Sequence, residues 1–168
     1  WVWDFGDGTI VTINAPDNPD ITHLYTLDGT YGVILTVTDT EGCENSVTKN
    51  VEVVPSPIAD FTYEENCYND PVLFTDLSTT NGGTDIQSWE WFFGDPGSGT
   101  SNTSNLQNPS HIFTLPGTYT TTLVINSTMG CTDTTEQEII VDTLPDVSMN
   151  IVDDSICLGE MAMFEGIG

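Results

Sequence analysis

Positive charge is almost missing from this sequence. Its 168 residues contain a single Lys or Arg, Lys49, against 26 Asp and Glu, and the formal net charge is −25. Nucleic-acid binding needs clustered Lys and Arg that displace counterions from phosphates, so the composition excludes nucleic acid as a partner. An anionic membrane surface is excluded by the same argument.

Long hydrophobic runs are also missing. No stretch approaches the roughly 20 apolar residues of a membrane-spanning helix, which argues against direct membrane insertion. The hydrophobic fraction of 38% and the aromatic fraction of 10% still suffice for packed cores, so we expect a folded chain. The opening WVWDFGDGT reads as the middle of a strand, with no signal peptide before it. We therefore expect a segment of a longer protein.

The cysteines lack the spacing of a metal site. Neither a CxxC pair nor a neighbouring histidine accompanies them, which argues against zinc. Disulfides in an exported protein are the favoured interpretation, and free thiols are the alternative. The disulfide candidates are Cys43, Cys67, Cys131 and Cys157, and sequence cannot rank their three possible full pairings.

The sequence repeats itself at a constant offset of 88. The matched pairs are Trp1, Trp3, Phe5 and Asp7 with Trp89, Trp91, Phe93 and Asp95, His23 with His111, Tyr31 with Tyr119, Leu35 with Leu123, and Cys43 with Cys131. A second match, at an offset of 90, pairs Cys67 with Cys157 and Phe74 with Phe164. Tandem copies of one domain explain both offsets. The predicted organisation is the C-terminal part of one domain in residues 1–54, a complete domain in 55–143 and the N-terminal part of another in 144–168.

Apolar residues recur at every second position within each repeat, which is the period of a strand with one buried face. Short strands separated by Gly, Pro and Asp-Gly turns, in units of about 85 residues, predict an all-β chain of two-sheet sandwiches. The strands predicted for the complete unit are Ile58–Tyr63, Val72–Leu77, Ile86–Phe93, His111–Thr114, Gly117–Asn126 and Thr134–Val141.

Aromatic residues on one strand face are interpreted as core. Trp89 and Trp91 could form a sugar-stacking platform, but alternation places them on the face that also carries Phe93, which favours packing. The predicted core residues are Trp3, Phe5, Tyr31, Leu35, Trp91, Phe93, Tyr119 and Leu123.

The two histidines occupy the same place in successive repeats. A general base would need a Ser or Cys nucleophile, and no such motif accompanies His23 or His111. A buried imidazole bonded to the backbone is therefore favoured. For Asp4, Asp7 and Asp95, capping of their own turn amides is favoured over a cation site.

The motifs WDFGDGT, THLYTLDGTYGVILTVTD and VEVV, in that order, closely resemble the PKD (polycystic kidney disease) domain. The second copy departs from the pattern at WFFGDP, where a longer Gly/Ser/Asn-rich hairpin through Asn105 is expected. The resemblance implies immunoglobulin-like β-sandwich domains in extracellular chains, used as spacers or interaction modules without catalysis.

Cysteine-bearing arrays of this kind resemble the long surface proteins of gliding, Bacteroidetes-type bacteria. The favoured function is a non-catalytic stalk of a long cell-surface repeat protein, an adhesin associated with gliding motility. The alternative is an accessory module of a secreted hydrolase that contacts polysaccharide or protein fibres. The expected partners are neighbouring repeats of the same chain, surface polysaccharide and other cell-surface proteins.

The resemblance also suggests modifications and ions. No cofactor is expected, but some PKD domains bind calcium near loops that here offer Asp39 and Glu41, or Asp85 and Asn126. Asn102 and Asn126 begin N-glycosylation triplets. The Bacteroidetes-type O-glycosylation motif fits Thr134, Thr143 and Ser155. Since consecutive domains meet end to end, we hypothesise that cysteines form disulfides across domain junctions, with each partner one unit away.

Overall fold

The computed structural model describes residues 1–151, 155, 158, 161 and 163–167. The chain divides into two compact units, one of Trp1–Ile58, Thr79–Gln87 and Asn126–Asp133 (unit 1), the other of Ala59–Ser78, Ser88–Ile125 and Thr134–Gly168 (unit 2). In the described part of the chain, no helix is long and apolar enough to cross a membrane.

The architecture is all-β, as the alternating pattern predicts. One short 3-10 helix, Pro96–Asn102, interrupts the strands. The strands are β1 (Val2–Asp4), β2 (Ile10–Thr12), β3 (Gly29–Thr38), β4 (Glu44–Val53), β5 (Phe61–Tyr63), β6 (Val72–Asp76), β7 (Ile86–Phe92), β8 (Thr103–Ser104), β9 (Ser110–His111), β10 (Gly117–Ser127), β11 (Thr132–Val141), β12 (Ser148–Ile151) and β13 (Phe164–Ile167).

Unit 1 contains an antiparallel sheet with the strand order β2-β1-β3-β4. Strands β3 and β4 form a ten-residue hairpin whose register runs from Gly29↔Val53 to Thr38↔Glu44. Asp39 holds its turn, because its Oδ1 accepts hydrogen bonds from the amides of Glu41 and Cys43, at 3.0 and 2.8 Å. This side chain is therefore used within its own turn.

The second repeat is an immunoglobulin-like sandwich of two sheets. One sheet has the order β11-β10-β7-β8 and the other β5-β6-β9. The rings of Phe61 and Phe74 lie against the indole of Trp91, with centroids 5.1 and 5.5 Å away. Alternation along each strand supplies the rest of the core. The buried apolar residues of this sandwich are Ala59, Phe61, Val72, Phe74, Trp91, Phe93, Phe113, Leu123, Ile125, Ile139 and Val141.

The corresponding side chains of the first repeat are more exposed to solvent. Val37 and Val51 are each 39% exposed, whereas Ile125 and Ile139, the residues 88 positions further on, are fully buried. In the part of the chain that the structure describes, unit 1 has a single sheet, so no opposite layer covers these side chains.

The predicted core residues divide along this line. Trp91, Phe93 and Leu123 are at most 1% exposed, and Phe5 is 6% exposed. Trp3 and Leu35 are only half-buried, because their sheet lacks a covering layer among the described residues. Tyr31 and Tyr119 are both half-buried, and each hydroxyl donates to the carbonyl of a residue four positions earlier, Leu27 at 2.9 Å and Leu115 at 2.7 Å.

The hairpin after β7 departs from the sequence prediction. A 3-10 helix and β8 replace the expected loop, and β8 pairs with β7 through Trp91↔Ser104 and Phe92↔Thr103. The predicted strand His111–Thr114 is also wrong in length. Strand β9 ends at His111, since the Thr114 amide turns away to donate to a carboxylate of Asp95.

The segment between the two repeats is tied to loop 79–87 within unit 1. Ile58 and Thr79 form an isolated bridge, and the side-chain amide of Asn81 donates to the Ser56 carbonyl. A Cβ on Gly83 would lie 2.3 Å from the Pro55 carbonyl oxygen, so this approach requires glycine. The proline-bearing segment is therefore held by specific backbone contacts.

We predict that Leu123→Ala lowers the free energy of unfolding by about 2–5 kcal/mol, since it leaves a cavity at a fully buried position of the core. Leu73→Ala is the matched control on a 44% exposed side chain of β6, and its effect should stay near 0.5 kcal/mol. Urea unfolding followed by circular dichroism measures both. Equal effects of the two substitutions would contradict the core described above.

Candidate functional site

The turn after β7 carries Asp95, whose carboxylate is the most deeply buried one in the described part of the chain. Gly94 has φ +73°, and a Cβ there would lie 2.3 Å from the Thr120 carbonyl oxygen. The turn in unit 1 repeats this arrangement, with Gly6 at φ +76° and a Cβ position 2.9 Å from the Gly32 carbonyl oxygen. Glycine is required at both positions by conformation and by space. The tight turn points the side chain of Asp95 into the sandwich.

Asp95 forms a buried network with the loop after β9. Its Oδ2 lies 3.2 Å from Nε2 of His111 and accepts the Thr114 amide at 2.9 Å. Its Oδ1 accepts the Thr114 hydroxyl at 2.6 Å. Asp95 is 2% and His111 4% exposed. The carboxylate thus joins the turn after β7 to strand β9 and to the loop that follows it.

The pKa of Asp95 lies below its ordinary value although the group is buried. Burial is the largest single influence and raises this pKa, because it penalises the charged form. The hydroxyl and amide of Thr114, and the imidazole of His111, together lower it by a larger amount. The ionised carboxylate is therefore the form that the folded network favours.

Aromatic rings enclose the imidazole. The His111 ring stacks on Phe93 at 4.3 Å with an interplanar angle of 9°, and Phe113 meets it edge-on at 4.6 Å. Tyr119 continues the series on Phe113 at 4.3 Å. Packing of this kind holds the imidazole in one orientation.

Unit 1 carries a second, more open copy of the network. The Asp7 carboxylate and Nε2 of His23 are 2.7 Å apart, and the Thr9 amide donates to Asp7 at 2.9 Å. The hydrogen bond from His23, and then that from Thr9, hold the pKa of Asp7 below its usual value. His23 stacks on Phe5 at 4.1 Å. Both repeats therefore build the same Asp–His contact.

Sequence reasoning missed this pairing. It assigned each histidine a backbone partner and each aspartate its own turn amides. Asp4 and Asp7 do accept their own turn amides, from Gly6 and Thr9, but both imidazoles bond to a carboxylate. The signal was present, since each pair is separated by 16 residues.

The Asp–His contact lacks the third member of a hydrolytic triad. Among the described residues, no Ser, Thr or Cys side chain is hydrogen-bonded to either imidazole, and the Thr114 hydroxyl donates to the carboxylate instead. A nucleophile must share a hydrogen bond with its base to be activated. The geometry of the Asp–His contact therefore supports a structural role, in which the carboxylate holds neighbouring backbone segments together.

A polar groove lies beside His111 in unit 2. Its volume is about 580 Å³. Apolar atoms of Pro71, Phe93 and Ile112 form part of its wall, but hydroxyl groups dominate. The hydroxyl-bearing residues are Ser98, Thr100, Ser101, Thr103, Ser104 and Ser110. Such a lining can hydrogen-bond a neutral polar ligand.

The calcium candidates do not gather into a binding site. Calcium takes six to eight oxygen ligands, yet no group of three or more His, Cys, Asp or Glu positioned for a metal exists among the described residues. The Asp39 carboxylate serves its own turn, and the Glu41 carboxylate accepts the Thr40 hydroxyl. The Asp85 carbonyl accepts the Thr128 amide, and Oδ1 of Asn126 is buried without a partner. Calcium binding at these four residues stays a prediction.

The modification candidates occupy different environments. Thr134, Thr143 and Ser155 are exposed, as O-glycosylation requires, and their glycosylation stays a prediction. Asn102 is half-buried, and its Oδ1 accepts the Asp95 amide at 2.7 Å. Asn126 is half-buried as well. Neither asparagine side chain is fully exposed at the surface.

Three cysteines fall within the described residues, and all three are free thiols: Cys43 and Cys67 are exposed and Cys131 is half-buried. Cys67 forms an isolated parallel bridge with Asp142. Cys157 lies outside the described residues. The disulfide pairing across domain junctions stays a prediction.

The PKD domain family model matches the sequence twice, over residues 1–55 and 54–141. The chain belongs to the PKD domain family.

Two of the proteins to which this chain is similar are proteases by name, or domains of one. Over 65 residues, 39% of the chain, the sequence is 42% identical to collagenase ColA of Bacillus cereus, and the match spans 6% of that collagenase. The PKD1 domain of the Vibrio cholerae metalloprotease PrtV is 29% identical, covers 53% of this chain and all of that domain, and has a TM-score of 0.46. The PKD1 domain of Vibrio anguillarum Epp is 24% identical, covers 55% and 100%, and has a TM-score of 0.48.

We predict that Asp95→Asn makes unfolding less sensitive to acid. The pKa of Asp95 is lower in the folded state, so its stabilisation is present above the unfolded value of about 3.9 and is lost as the pH falls through the folded value. The melting temperature of the wild type should exceed that of the variant at pH 6, and the difference should shrink below about pH 4.

Asp70→Asn, at an exposed loop position, is the control for the loss of one negative charge. Thermal melts from pH 2.5 to 6, followed by circular dichroism, measure the effect. A wild-type advantage that stays constant over this range would contradict a role for the ionised Asp95.

Proposed function

We propose that this chain is a tandem of non-catalytic PKD modules that forms an accessory segment of a secreted hydrolase and holds it against an insoluble polymer. The observation that carries the proposal is the reuse of one Asp–His contact in both repeats, where each carboxylate fixes a turn and no nucleophile reaches the imidazole in the described residues. In this proposal the chain positions the hydrolase on the polymer and does not itself cleave bonds.

The relatives support the hydrolase context. Collagenase ColA and the metalloprotease PrtV are proteases by name, and the chain spans only 6% of the collagenase. If this chain is such a segment of a protease, the proteolytic activity would belong to other parts of that protein. An extracellular location belongs to the same proposal.

The groove beside His111 supports contact with a neutral polymer. Its wall offers six hydroxyl groups, while the net charge of −25 opposes anionic polymers. Neutral polysaccharide and protein fibres such as collagen are therefore the favoured partners. The groove is polar and open, which suits an extended polymer surface better than a small ligand.

The domain limits are part of the proposal. Residues 1–54 would be the C-terminal part of one module, 55–143 a complete module and 144–168 the start of another. The two family matches, over 1–55 and 54–141, support the first boundary. The contacts of Pro55, Ser56 and Ile58 with loop 79–87 would make the first linker stiff.

A stalk in a long cell-surface repeat protein is the second candidate. Tandem repetition of the module at one offset favours it, since stacked modules make extended spacers. An adhesin and a gliding-motility filament are specific forms of this candidate, in which neighbouring repeats and other cell-surface proteins would be the partners. The named relatives favour the hydrolase accessory over these forms.

We predict that the protein sediments with insoluble polymer. The 168-residue chain should bind microcrystalline cellulose, chitin or type I collagen fibrils and should release no soluble fragments from them. Binding should weaken in Ser101→Glu, which puts a charged side chain into the groove, and should persist in Thr134→Glu, which adds the same charge at an exposed position on β11.

Protein left in the supernatant after centrifugation is the unbound fraction, and the bound fraction follows by difference from the total. If the chain binds none of the three polymers, the accessory function is contradicted and the stalk becomes the better candidate. Equal binding by the two Glu variants would contradict the groove as the contact site. Release of fragments by the pure chain would contradict a non-catalytic module.

A further inference from the structure

The groove beside His111 runs along the free edges of both sheets of the second repeat. Strand β8 is the last strand in the order β11-β10-β7-β8, and β9 is the last in the order β5-β6-β9. Every residue of these two strands lines the groove: Thr103, Ser104, Ser110 and His111. An edge strand carries main-chain N–H and carbonyl groups that its own sheet does not use. The groove therefore offers main-chain groups in addition to side-chain hydroxyls.

The register of β8 determines which of its main-chain groups face the free edge. The Phe93 amide donates to the Asn102 carbonyl at 2.9 Å, so these two residues occupy a hydrogen-bonded position of the antiparallel ladder. Hydrogen-bonded pairs alternate with non-hydrogen-bonded pairs, so the next hydrogen-bonded pair is Trp91↔Ser104. Thr103 lies between the two pairs. Its N–H and carbonyl therefore point away from β7, towards the free edge.

Strand β9 has the same arrangement on the other sheet. The Phe74 amide donates to the Pro109 carbonyl at 3.0 Å, and the next hydrogen-bonded pair of this ladder is Val72↔His111. Ser110 lies between these pairs, so its N–H and carbonyl point away from β6. The side chain of Ser110 is also exposed. Each sheet thus contributes one residue whose main-chain donor and acceptor lie on its free edge at the groove.

We propose that the groove binds an extended peptide segment of another protein, which adds as a strand along these edges. Its main chain exchanges hydrogen bonds with the main-chain groups of Thr103 and Ser110. In strand addition of this kind, main-chain hydrogen bonds supply affinity and alternate side chains supply specificity. The inference rests on the proposed function, because it names the partner of the same groove as the main chain of a polypeptide.

The chemistry of the groove favours a peptide over a polysaccharide. A peptide strand has N–H and carbonyl groups at the spacing that a sheet edge requires, whereas a polysaccharide has no such regular row. The side chains that alternate along the bound strand would contact the apolar atoms of Pro71, Phe93 and Ile112 in the groove wall. The pairing is between main chains, so many different sequences can bind.

Charge narrows the class of peptide. The chain has a net charge of −25, which repels acidic segments and also repels a second copy of this chain. Neutral and basic segments are therefore the favoured partners. The residues that line the groove carry hydroxyl and apolar side chains and one imidazole, but no carboxylate. Ion pairs consequently contribute little at the groove itself, and the main-chain hydrogen bonds are the specific contacts.

The test uses the dye-labelled peptide Lys-Thr-Val-Thr-Val-Thr-Lys, whose binding to the 168-residue chain is measured by fluorescence anisotropy. Its matched control has the same side chains and charge, but N-methyl groups on two adjacent core residues interrupt the row of N–H donors on each edge. The control should bind about tenfold more weakly or worse, because it loses main-chain hydrogen bonds. Binding of the unmodified peptide should persist in about 1 M NaCl, where the Debye length is about 3 Å.

Substitutions in the chain locate the binding site. Thr103→Trp and Ser110→Trp place a bulky side chain at exposed positions that line the groove, and neither changes the net charge. Each should weaken peptide binding by about tenfold or more. Thr134→Trp, at an exposed position on β11, is the control and should bind the peptide like the wild type. Circular dichroism of each variant verifies that it is folded.

Equal binding of the two peptides would overturn strand addition, as would binding that disappears in 1 M NaCl, since attraction between opposite charges alone would then explain it. Equal binding by the groove variants and the wild type would overturn the site. If the chain binds cellulose or chitin through the groove but does not bind the peptide, the peptide is overturned as the partner and the proposed function stands. If it binds neither the peptide nor any polymer, both proposals fail.

Discussion

Burial of one indole ring between two sheets is the constraint on which the rest of the repeat depends. Trp91 is fully buried because β5 and β6 lay Phe61 and Phe74 across it, and this layer also removes Leu123, Ile125 and Ile139 from water. At about 25 cal/mol per Å² of apolar surface, such burial outweighs single hydrogen bonds. The sheet of unit 1 has the same strands and nearly the same side chains, yet Val37 and Val51 stay exposed. Pairing of strands alone therefore does not complete the sandwich.

The Asp–His contact is the polar counterpart of this packing. It closes the end of the sandwich, where the turn after β7 and the loop after β9 would otherwise leave amides without partners, and the imidazole extends the aromatic core through its stack on Phe93. A catalytic pair needs an exposed, available nitrogen, whereas this imidazole gives its Nε2 to the carboxylate and its face to a ring. Because the Asp–His contact has the same geometry in both repeats, we attribute it to the fold itself. This structural role supports the proposed positioning function.

Much of this could be predicted from sequence. A constant offset of 88 and alternation of apolar residues predict the sandwich class and the bounds of β7, β10 and β11 to within two residues, because the alternation is a local signal and the offset is visible in the sequence itself. For the Asp95–His111 contact the sequence offers only the repeated spacing of 16 residues, because the contact itself depends on how the turn after β7 and strand β9 approach each other in the folded sandwich. Exposure of Trp3 and Leu35 was missed for a related reason: periodicity identifies a face that can be buried, but only the opposite sheet decides whether it is. The 3-10 helix Pro96–Asn102 lay within a segment whose composition indicated only a turn.

Hydrogen exchange compares the two repeats within one molecule and tests this account most directly. Strands β10 and β11 repeat β3 and β4 at the offset of 88, but in the part of the chain that the structure describes only β10 and β11 lie under a second sheet. Amides of Gly117–Ser127 and Thr132–Val141 should exchange by global unfolding and far more slowly than those of Gly29–Thr38 and Glu44–Val53. Equal protection of the two hairpins would contradict the claim that the covering layer, rather than strand pairing, stabilises the repeat.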